Sequence, residues 1–598
     1  MRDDPPARTD MPAVGALGIG VTGHRLGRLD GIDLDALRAA LRDLLQTLAA
    51  TAAAPMRLIT SLADGADSIA AEESLALGWT LDAVLPLSRA DYLSDFTETQ
   101  ARTDHEMLLA RSHGVLELDG DRNVEGGSAI AYERAGRVVL AQCDILVAVW
   151  DSGPVRGRGG AAQIVAEAVL AGIPVIHLDP AGRHPPRLLW DGLEEHDLGQ
   201  QTVDTVPRGD LTALPVLLSG LLDPPTDKSE RAMLDRLSVP AKPRRNWALA
   251  YPLLLAIMGV RRLRKTDWAV AEPANALPAI LGPCSGAALN ASGFGAQLRT
   301  VLAPRFARAD ATATHVAQLF RSGYVTNFSF AALAVVLSLL GLALPAALKP
   351  VLIILEFMVI ATILLVTRAG HRSQWHRRWL DNRHLAERLR CLAVAAQLGE
   401  LELRSGADLR PGWVDWYARA TARELGMPSV HVDPAYLACV RDGLTTLIDG
   451  QIDYLRNDAH RMHRLEHRLH QLGTILFAMT AIICVGLLVY KMADKMVGMA
   501  ALDAIAHPVL TATTIASAAL PAIGAAIYGI RMQGDFAGIA ERSESLAHNL
   551  TTLRQVMDAD ALSFDTLKRR VARATDLLTQ DLASWLQTYH ARPLTLPG

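Results

Sequence analysis

The sequence has little cysteine, few aromatic residues and almost no net charge. Its five cysteines stand singly, so they offer neither the CxxC spacing of a metal site nor the paired framework of a secreted domain. Aromatic residues make up 5% of the chain and the formal net charge is -4, which gives no reason to expect general nucleic-acid binding. The first ten residues, MRDDPPARTD, lack the basic and then apolar order of a signal peptide. These absences favour an N-terminal domain in a reducing cytoplasm.

Apolar residues are abundant instead. Half of the 598 residues are hydrophobic and the mean hydropathy is +0.18, which is unusual for a purely soluble protein. A chain of this length is too long to fold around a single hydrophobic core. We therefore expect several structural units, some of them in a membrane.

Residues 16–222 alternate short apolar runs with helical stretches. The first helix has leucines at helical spacing behind the acidic residues Asp33 and Asp35. Near-continuous apolar strands separated by helices predict an α/β, Rossmann-like domain with a parallel sheet covered on both faces. Ligands of such sheets bind at the carboxyl ends of the strands. The predicted strands are residues 18–22, 57–60, 81–85, 144–150 and 174–177.

Four later stretches are long and apolar enough to cross a membrane, which predicts an all-α domain with four transmembrane helices. Arginine clusters follow the second stretch and precede the third, so the positive-inside rule places these segments and both termini in the cytoplasm. Each pair of spans enters and leaves on the basic side, as two tandem two-span units would. The predicted spans are residues 325–348, 351–366, 472–490 and 509–530.

Short sequence matches favour this duplication. Arg308 and His315 recur 148 residues later as Arg456 and His463, just before the odd-numbered spans. Two further matches follow the even-numbered spans, with two different offsets. They pair residues 386–388 with 540–542 and residues 370–374 with 529–533.

The remaining segments are less regular. Residues 1–15 are expected to be disordered, residues 223–300 to be a connector, and residues 401–450 to be a cytoplasmic helical linker. An apolar run at 247–260 is short for a span and fits either an interfacial helix on the inner leaflet or a buried soluble helix. The two membrane units are then residues 301–400 and 451–598.

Glycines, basic residues and carboxylates gather where predicted strands end. Glycines let a backbone approach phosphate oxygens, a following helix N-terminus supplies N–H donors, and arginine supplies a charged fork, so these segments predict a phosphate-binding site. Asp64 fits either a helix cap or a ligand of ribose hydroxyls, and the role of Asp67 stays open. The letters of a dinucleotide fingerprint at 18–23 do not qualify, because the first glycines fall inside the strand. The candidate ligand-binding residues are Thr22, Gly23, His24, Arg25, Ser61, Asp64, Gly65, Asp67, Asp151, Arg156, Gly157, Gly159, Gly160 and Gln163.

Four motifs occur in order: GVTGHR at 20–25, SLADGAD at 61–67, DILVAVWD at 144–151 and GRGGAAQIVAEA at 157–168. Over residues 16–222 the chain therefore resembles the SLOG superfamily of Rossmann-like domains, which includes cytokinin-activating phosphoribohydrolases and the DNA-processing DprA proteins. This resemblance implies binding of a nucleotide at the four motifs.

Hydrolytic members of that superfamily carry Thr and then a catalytic Glu in the last motif. The matching positions here hold Ala161 and Gln163. Because Gln cannot act as a base, the resemblance implies a sensor more than a hydrolase. No catalytic residue is assigned, and Glu167, one helical turn later, is the candidate that would stand in.

The span pairs and the basic stretch at 375–390 resemble the two-span SLATT domains that accompany SLOG domains in prokaryotic conflict systems. This resemblance implies a multi-pass effector in the bacterial inner (plasma) membrane, either a ligand-gated channel or a membrane-disrupting protein of antiphage defence. The implied ligand is a nucleotide-derived second messenger, ADP-ribose-like or a cyclic nucleotide, and the implied assembly is a homo-oligomer in membrane lipid. A membrane-tethered hydrolase of N-glycosidic bonds and a regulated transporter are the alternatives.

Single residues of the helical half carry further predictions. Glu356 lies inside the second span, where an ionised side chain costs ~3 kcal/mol on insertion scales, and it either faces a pore or pairs with Lys349. Trp375 and Trp379 fit headgroup anchors better than a nucleic-acid surface. The sequence predicts no metal site, no cofactor besides the nucleotide ligand, and no nucleic-acid partner.

Overall fold

The computed structural model of the chain describes residues 15–193, 201–238, 246, 248–269, 277, 293–401, 412–497 and 503–590. The N-terminal segment predicted to be disordered therefore lies almost wholly outside the described residues, as does part of the predicted connector. Within the described residues, an α/β region comes first and an all-helical region follows, as the sequence predicts.

One mixed, mostly parallel sheet organises the α/β region. Its strand order is β8-β7-β6-β5-β1-β2-β3-β4-β9, and neighbours are parallel except at β6–β7 and β7–β8. The five predicted strands are confirmed as β1, β2, β3, β5 and β6. The strand bounds are β1 Leu17–Gly23, β2 Met56–Thr60, β3 Thr80–Leu85, β4 Gly114–Glu117, β5 Ile145–Val149, β6 Val175–Leu178, β7 Arg187–Leu189, β8 Arg208–Gly209 and β9 Val430–His431.

Helices cover both faces of this sheet. One face packs against α1, α2, α4 and α7, and the other packs against α5 and α6. The leucine stripe of α1 is buried, and Asp33 caps that helix by accepting from the Asp35 and Ala36 amides, both at 3.1 Å. The bounds are α1 Leu34–Ala52, α2 Ala66–Ala76, α3 Arg89–Leu93, α4 Thr99–Arg111, α5 Gly127–Gln142, α6 Ala161–Leu170 and α7 Leu214–Leu222.

In the part of the chain that the structure describes, four helices are long and apolar enough to cross a membrane, namely α10, α11, α14 and α15. They match the four predicted spans, although α10 ends at Leu340 rather than at Leu348. The bounds are α8 Lys228–Ser238, α9 Ala250–Ile257, α10 Phe294–Leu340, α11 Lys349–Arg372, α12 Trp375–Ala395, α13 Trp413–Leu425, α14 Pro434–Val497, α15 Asp503–Gly534, α16 Phe536–Ala559 and α17 Phe564–His590.

Polar groups inside the first span pair lie on the packed side of the helices. Asn327 of α10 is fully buried and donates to the Thr367 hydroxyl of α11 at 2.8 Å. Glu356 is half-buried and shares a face of α11 with the buried residues Val359 and Ile363, which follow it by three and seven positions. Among the described residues no cation lies within 4.0 Å of the Glu356 carboxylate, so the predicted pairing with Lys349 is absent.

Both span pairs end at a residue with a left-handed backbone. Gln374 (φ 48°) follows α11 and Asp535 (φ 46°) follows α15, and another helix begins directly after each, α12 or α16. These two residues are 161 positions apart. Shifting by the same offset aligns buried residues of α12 with those of α16: Trp379 with Ala540, Asn382 with Ser543, Leu385 with Leu546, Ala386 with Ala547, Leu389 with Leu550 and Leu392 with Leu553.

This shared pattern of burial fits two tandem units. The predicted sequence matches at 308–315, 370–374 and 386–388 have other offsets and stay predictions. The likeness of the two helices is one of burial more than of identity, because helices that occupy equivalent places need the same buried positions and tolerate different residues there.

The α/β and helical regions share one hydrophobic core. The sheet face under α5 continues into α12, α13 and α17 without a break. Asp144 and Arg423, each 2% exposed, form an ion pair at 2.8 Å between the start of β5 and α13. Within the predicted linker at 401–450, residues 412–450 supply α13, strand β9 and the start of α14, and residues 402–411 lie outside the described residues.

Two smaller predictions concern the run at 247–260 and Trp379. The run at 247–260 forms the short helix α9, with Tyr251 and Leu255 buried against α10, while Leu253 and Ile257 are exposed; Trp247 lies outside the described residues. Trp379 is 6% exposed and packs on Phe320, so it belongs to the core rather than to a headgroup belt. Among the described cysteines, Cys143, Cys391 and Cys484 form no disulfide, whereas Cys439 is disulfide-bonded, a pairing that the scattered cysteines did not predict.

Candidate functional site

The candidate site lies between β1 and β5, where the order in which the chain adds strands to the sheet reverses. From β1 the chain proceeds through β2, β3 and β4 toward one edge, then returns to β5 on the other side of β1. A crevice opens at such a switch point, beyond the carboxyl ends of the two adjacent strands. The motif segments after β1, β2 and β5 meet there: the His24 amide donates to the Val149 carbonyl at 3.1 Å, and the Ala66 amide donates to the His24 carbonyl at 3.1 Å.

Two of the predicted glycines are required by close packing between these segments. A Cβ at Gly23 would lie 2.4 Å from the Cβ of Ala66, and one at Gly65 would lie 2.6 Å from the His24 carbonyl oxygen. Gly65 also has φ +103°, a conformation that side chains disfavour. These glycines hold the loops after β1 and β2 together, which is a different reason for glycine than the predicted approach to phosphate.

His24 and Asp151 join the ends of β1 and β5. The His24 ring is buried, and its Nε2 accepts from the Asp151 amide at 3.2 Å. Burial lowers the pKa of His24 despite the nearby Asp151 carboxylate, so the imidazole is neutral at pH 7. The next residue, Ser152, has φ +60°, a strained conformation of the kind that concentrates at ligand sites.

Arg25 reaches across the crevice and is held by partners that the sequence did not indicate. Its guanidinium lies 4.9 Å from the centroid of the Tyr132 ring, and its Nη2 is 3.4 Å from Asp95. Tyr132 donates to the same Asp95 carboxylate at 2.5 Å, and Arg122 also pairs with it. Asp95 follows α3 and Tyr132 lies within α5, so neither stands at a strand end where the motif pattern would reveal it.

The two aspartates after β2 have different surroundings. Asp64 does not cap α2, because Gly65 is the cap residue and Asp64 faces Arg25 at 3.9 Å. Asp67 is buried, and burial raises its pKa to about 6 even though Thr60 and the Ser61 and Ala63 amides bond to it. Asp67 therefore fixes the shape of the loop 61–64 from inside, and Asp64 faces the crevice.

The glycine-rich loop before α6 is anchored to α5. Gly159 has φ +77°, and a Cβ there would lie 2.6 Å from the Glu133 amide nitrogen. Gln163 accepts from the Gly159 amide at 2.8 Å and donates to Glu133 at 2.9 Å, while Arg158 pairs with Glu133. The glutamine that replaces the expected Glu thus has a structural task, since it ties the loop to α6 and α5 together.

Glu167 is engaged on both carboxylate oxygens. The Arg137 guanidinium of α5 donates to both oxygens at 2.8 Å, and Gln163 donates to one of them at 2.9 Å. Burial acts to raise the pKa of Glu167, but Arg137 and Gln163 outweigh it and hold that pKa below its usual range. Such a carboxylate stays ionised at neutral pH, and both of its oxygens already accept hydrogen bonds from α5 or α6.

The remaining predicted residues border the opening. Thr22 and Ser61 are half-buried at the ends of β1 and β2, and Gly160 is the residue that caps α6. Arg156 and Gly157 are exposed in the loop between β5 and α6, so the rim of the crevice is basic. In the part of the chain that the structure describes, no group of His, Cys, Asp and Glu is arranged to hold a metal ion.

Comparison with known proteins gives no assignment. No protein-family model matches the chain, and no curated protein matches it.

Proposed function

We propose that the chain is a membrane effector gated by a phosphorylated nucleotide derivative that binds the crevice between β1 and β5. Arg25, the amides before α6 and the basic rim suit phosphates, and Asp64 suits ribose hydroxyls. The resemblance of the four motifs to SLOG domains suggests this class of ligand. The resemblance of the span pairs to SLATT domains suggests an effector role in antiphage defence. The membrane is then the bacterial inner membrane, with both termini in the cytoplasm, and the acting form is a homo-oligomer.

The observation that carries the proposal is the double engagement of α5. Tyr132 and Glu133 hold Arg25 and the glycine-rich loop, and the next residue, Arg134, donates to Asp565 of α17 at 2.7 Å. Helix α17 packs against α12 and α16, the helices that follow the two span pairs. A ligand that shifts α5 therefore acts on both units through contiguous packed elements, provided that it binds the two arrangements with different affinity.

Sensing fits these residues better than hydrolysis does. Gln163 is hydrogen-bonded to the glycine-rich loop and Glu167 is paired with Arg137, so neither side chain is placed to act as a base. A nucleotide would thus remain intact in the crevice.

The test uses detergent-purified full-length protein and a panel of adenine nucleotides, NAD, ADP-ribose isomers and cyclic dinucleotides, with mass spectrometry of what is retained and what is converted. We expect one compound to be retained intact, to lose binding in Arg25→Ala, and to trigger ion flux from proteoliposomes. Arg111→Ala, an exposed arginine of α4, is the matched control. Turnover of the compound, or unchanged binding in Arg25→Ala, would overturn the proposal.

A further inference from the structure

The helical region contains a partly open cavity of about 460 Å³ that is separate from the crevice. Helices α9, α10, α12, α14 and α16 line it, so both span units contribute walls. Its α10 and α12 residues lie just before the first span and just after the second, on the side that the positive-inside rule assigns to the cytoplasm. We call it the Arg321 cavity.

The lining is basic and aromatic. Six arginines and three carboxylates face the cavity. Three of the arginines are neutralised nearby: Arg261 by Asp267 at 2.6 Å, Arg383 by Glu387 at 2.7 Å, and Arg542 by Asp535 at 3.1 Å. The arginines that remain are Arg264, Arg321 and Arg461, with Asp458 as the remaining carboxylate.

Arg321 occupies the centre of this arrangement. Its guanidinium lies 5.4 Å from the centroid of the Tyr251 ring and 5.3 Å from that of the Trp379 ring. Among the described residues, no carboxylate lies within 4.0 Å of it. Cation–π contacts compensate part of the desolvation of a half-buried charge, but they leave the N–H donors of the fork unused. An unused charged fork in a cavity favours an anion.

We propose that the Arg321 cavity binds a phosphate-bearing anion, with Arg321 and Arg461 as the phosphate contacts. Phosphate offers several acceptor oxygens to arginine forks, and the aromatic walls suit whatever organic group the phosphate carries. Because the cavity lies at the cytoplasmic ends of the spans, the phosphate can belong either to a phospholipid headgroup of the inner leaflet or to a soluble phosphorylated compound. Because α10 belongs to the first unit and α14 and α16 to the second, the anion would bridge the two units.

The experiment measures binding to delipidated, full-length protein in detergent, with inorganic pyrophosphate and dioctanoyl phosphatidylglycerol as the probes. Dioctanoyl phosphatidylcholine is the zwitterionic control. We expect at least one anionic probe to bind and Arg321→Gln to raise its Kd about tenfold or more, as loss of a charge-assisted contact would. Pyrophosphate binding identifies a soluble anion, and binding of phosphatidylglycerol without pyrophosphate identifies the lipid.

Arg321 packs between two rings, so its replacement can also disturb folding. Arg461→Gln avoids this because Arg461 is exposed on α14, and Arg464→Gln removes an exposed arginine of the same helix outside the cavity. Arg461→Gln should weaken probe binding severalfold, and Arg464→Gln should leave it unchanged. Equal effects of these two variants, binding of neither probe to the wild type, equal affinity for phosphatidylcholine, or loss of binding in Arg25→Ala would each overturn the proposal.

Discussion

At the scale of single residues, the pKa of Asp67 links the loop after β2 to pH. Its pKa is about 6 in the folded chain and near 3.8 when exposed, so the folded state keeps a proton that the unfolded state has lost. The contribution of Asp67 to stability is therefore fully present below pH 4 and is lost as the pH rises through about 6, a decrease of up to about 3 kcal/mol.

Asp67→Asn should remove this decline, since an amide oxygen still accepts from the Ser61 and Ala63 amides and carries no charge. The measurement is the thermal midpoint of both proteins between pH 4 and 7. Asp43→Asn, an exposed change on α1, serves as the control. A difference between wild type and Asp67→Asn that does not vary with pH would contradict the assignment.

The Asp144–Arg423 pair makes a second residue-scale prediction. Asp144 accepts from the Gly18 amide at 3.0 Å as well as from Arg423, so removing the guanidinium takes a bidentate charged partner away from a buried carboxylate. Arg423→Ala should cost about 3–5 kcal/mol of unfolding free energy. The double change Asp144→Ala with Arg423→Ala should cost less than the sum of the two single changes, as chemical denaturation can measure. Additive losses would mean that the pair does not interact energetically.

At the scale of elements, the left-handed residue between α11 and α12 sets the angle at which the candidate span α11 meets the helix that follows it. Gln374→Val should destabilise the chain by about 1–2 kcal/mol, because a β-branched side chain tolerates positive φ poorly, while Gln374→Gly should not. Both changes lose the same contact with Arg236, which isolates the backbone term. Ser373→Val, one position earlier at φ -89°, is the control. Thermal midpoints equal for the Val and Gly variants would rule out strain at this position.

Helix α5 makes the element-scale prediction about coupling. Asp565→Asn weakens the contact from Arg134 to α17 and touches no residue of the crevice. Ligand affinity should stay within about threefold of wild type, and ligand-triggered flux should fall roughly tenfold, as loss of 1–3 kcal/mol of coupling would produce. Asp576→Asn, exposed on the same helix, should leave both unchanged. Parallel loss of affinity and flux would show that Asp565 acts on the binding site instead.

Elements with a strong local signal were predictable from sequence. Strands β1, β2, β3, β5 and β6 and the four spans come from runs of apolar residues that contain their own signal. β4 is four residues long and β9 two, and each depends on a distant partner, so periodicity does not reveal them. The glycine motifs located the crevice, but Asp95, Tyr132 and Glu133 were missed because they reach it from α3 and α5 through tertiary packing alone.

At the scale of the whole molecule, the proposed topology predicts which surfaces meet each side of the membrane. In a Cys484→Ser background, Ala346→Cys lies in the loop between α10 and α11, and Thr552→Cys lies on α16; both positions are exposed. A membrane-impermeant maleimide should label Ala346→Cys in intact cells and should label Thr552→Cys after lysis alone. The reverse labelling pattern would show that the protein has the opposite orientation in the membrane.

Strand β9 constrains how the chain is made. It pairs Leu116 and Glu117 of β4 with Val430 and His431, and Arg423 just before it seals the start of β5. A ribosome delivers α10 and α11 before it reaches these residues, so the first hairpin of spans enters the bilayer while the sheet still lacks its last strand. Until those residues are synthesised, the sheet is incomplete, with one edge and one face uncovered. A chaperone that shields β4 during that interval would therefore increase the yield of folded protein.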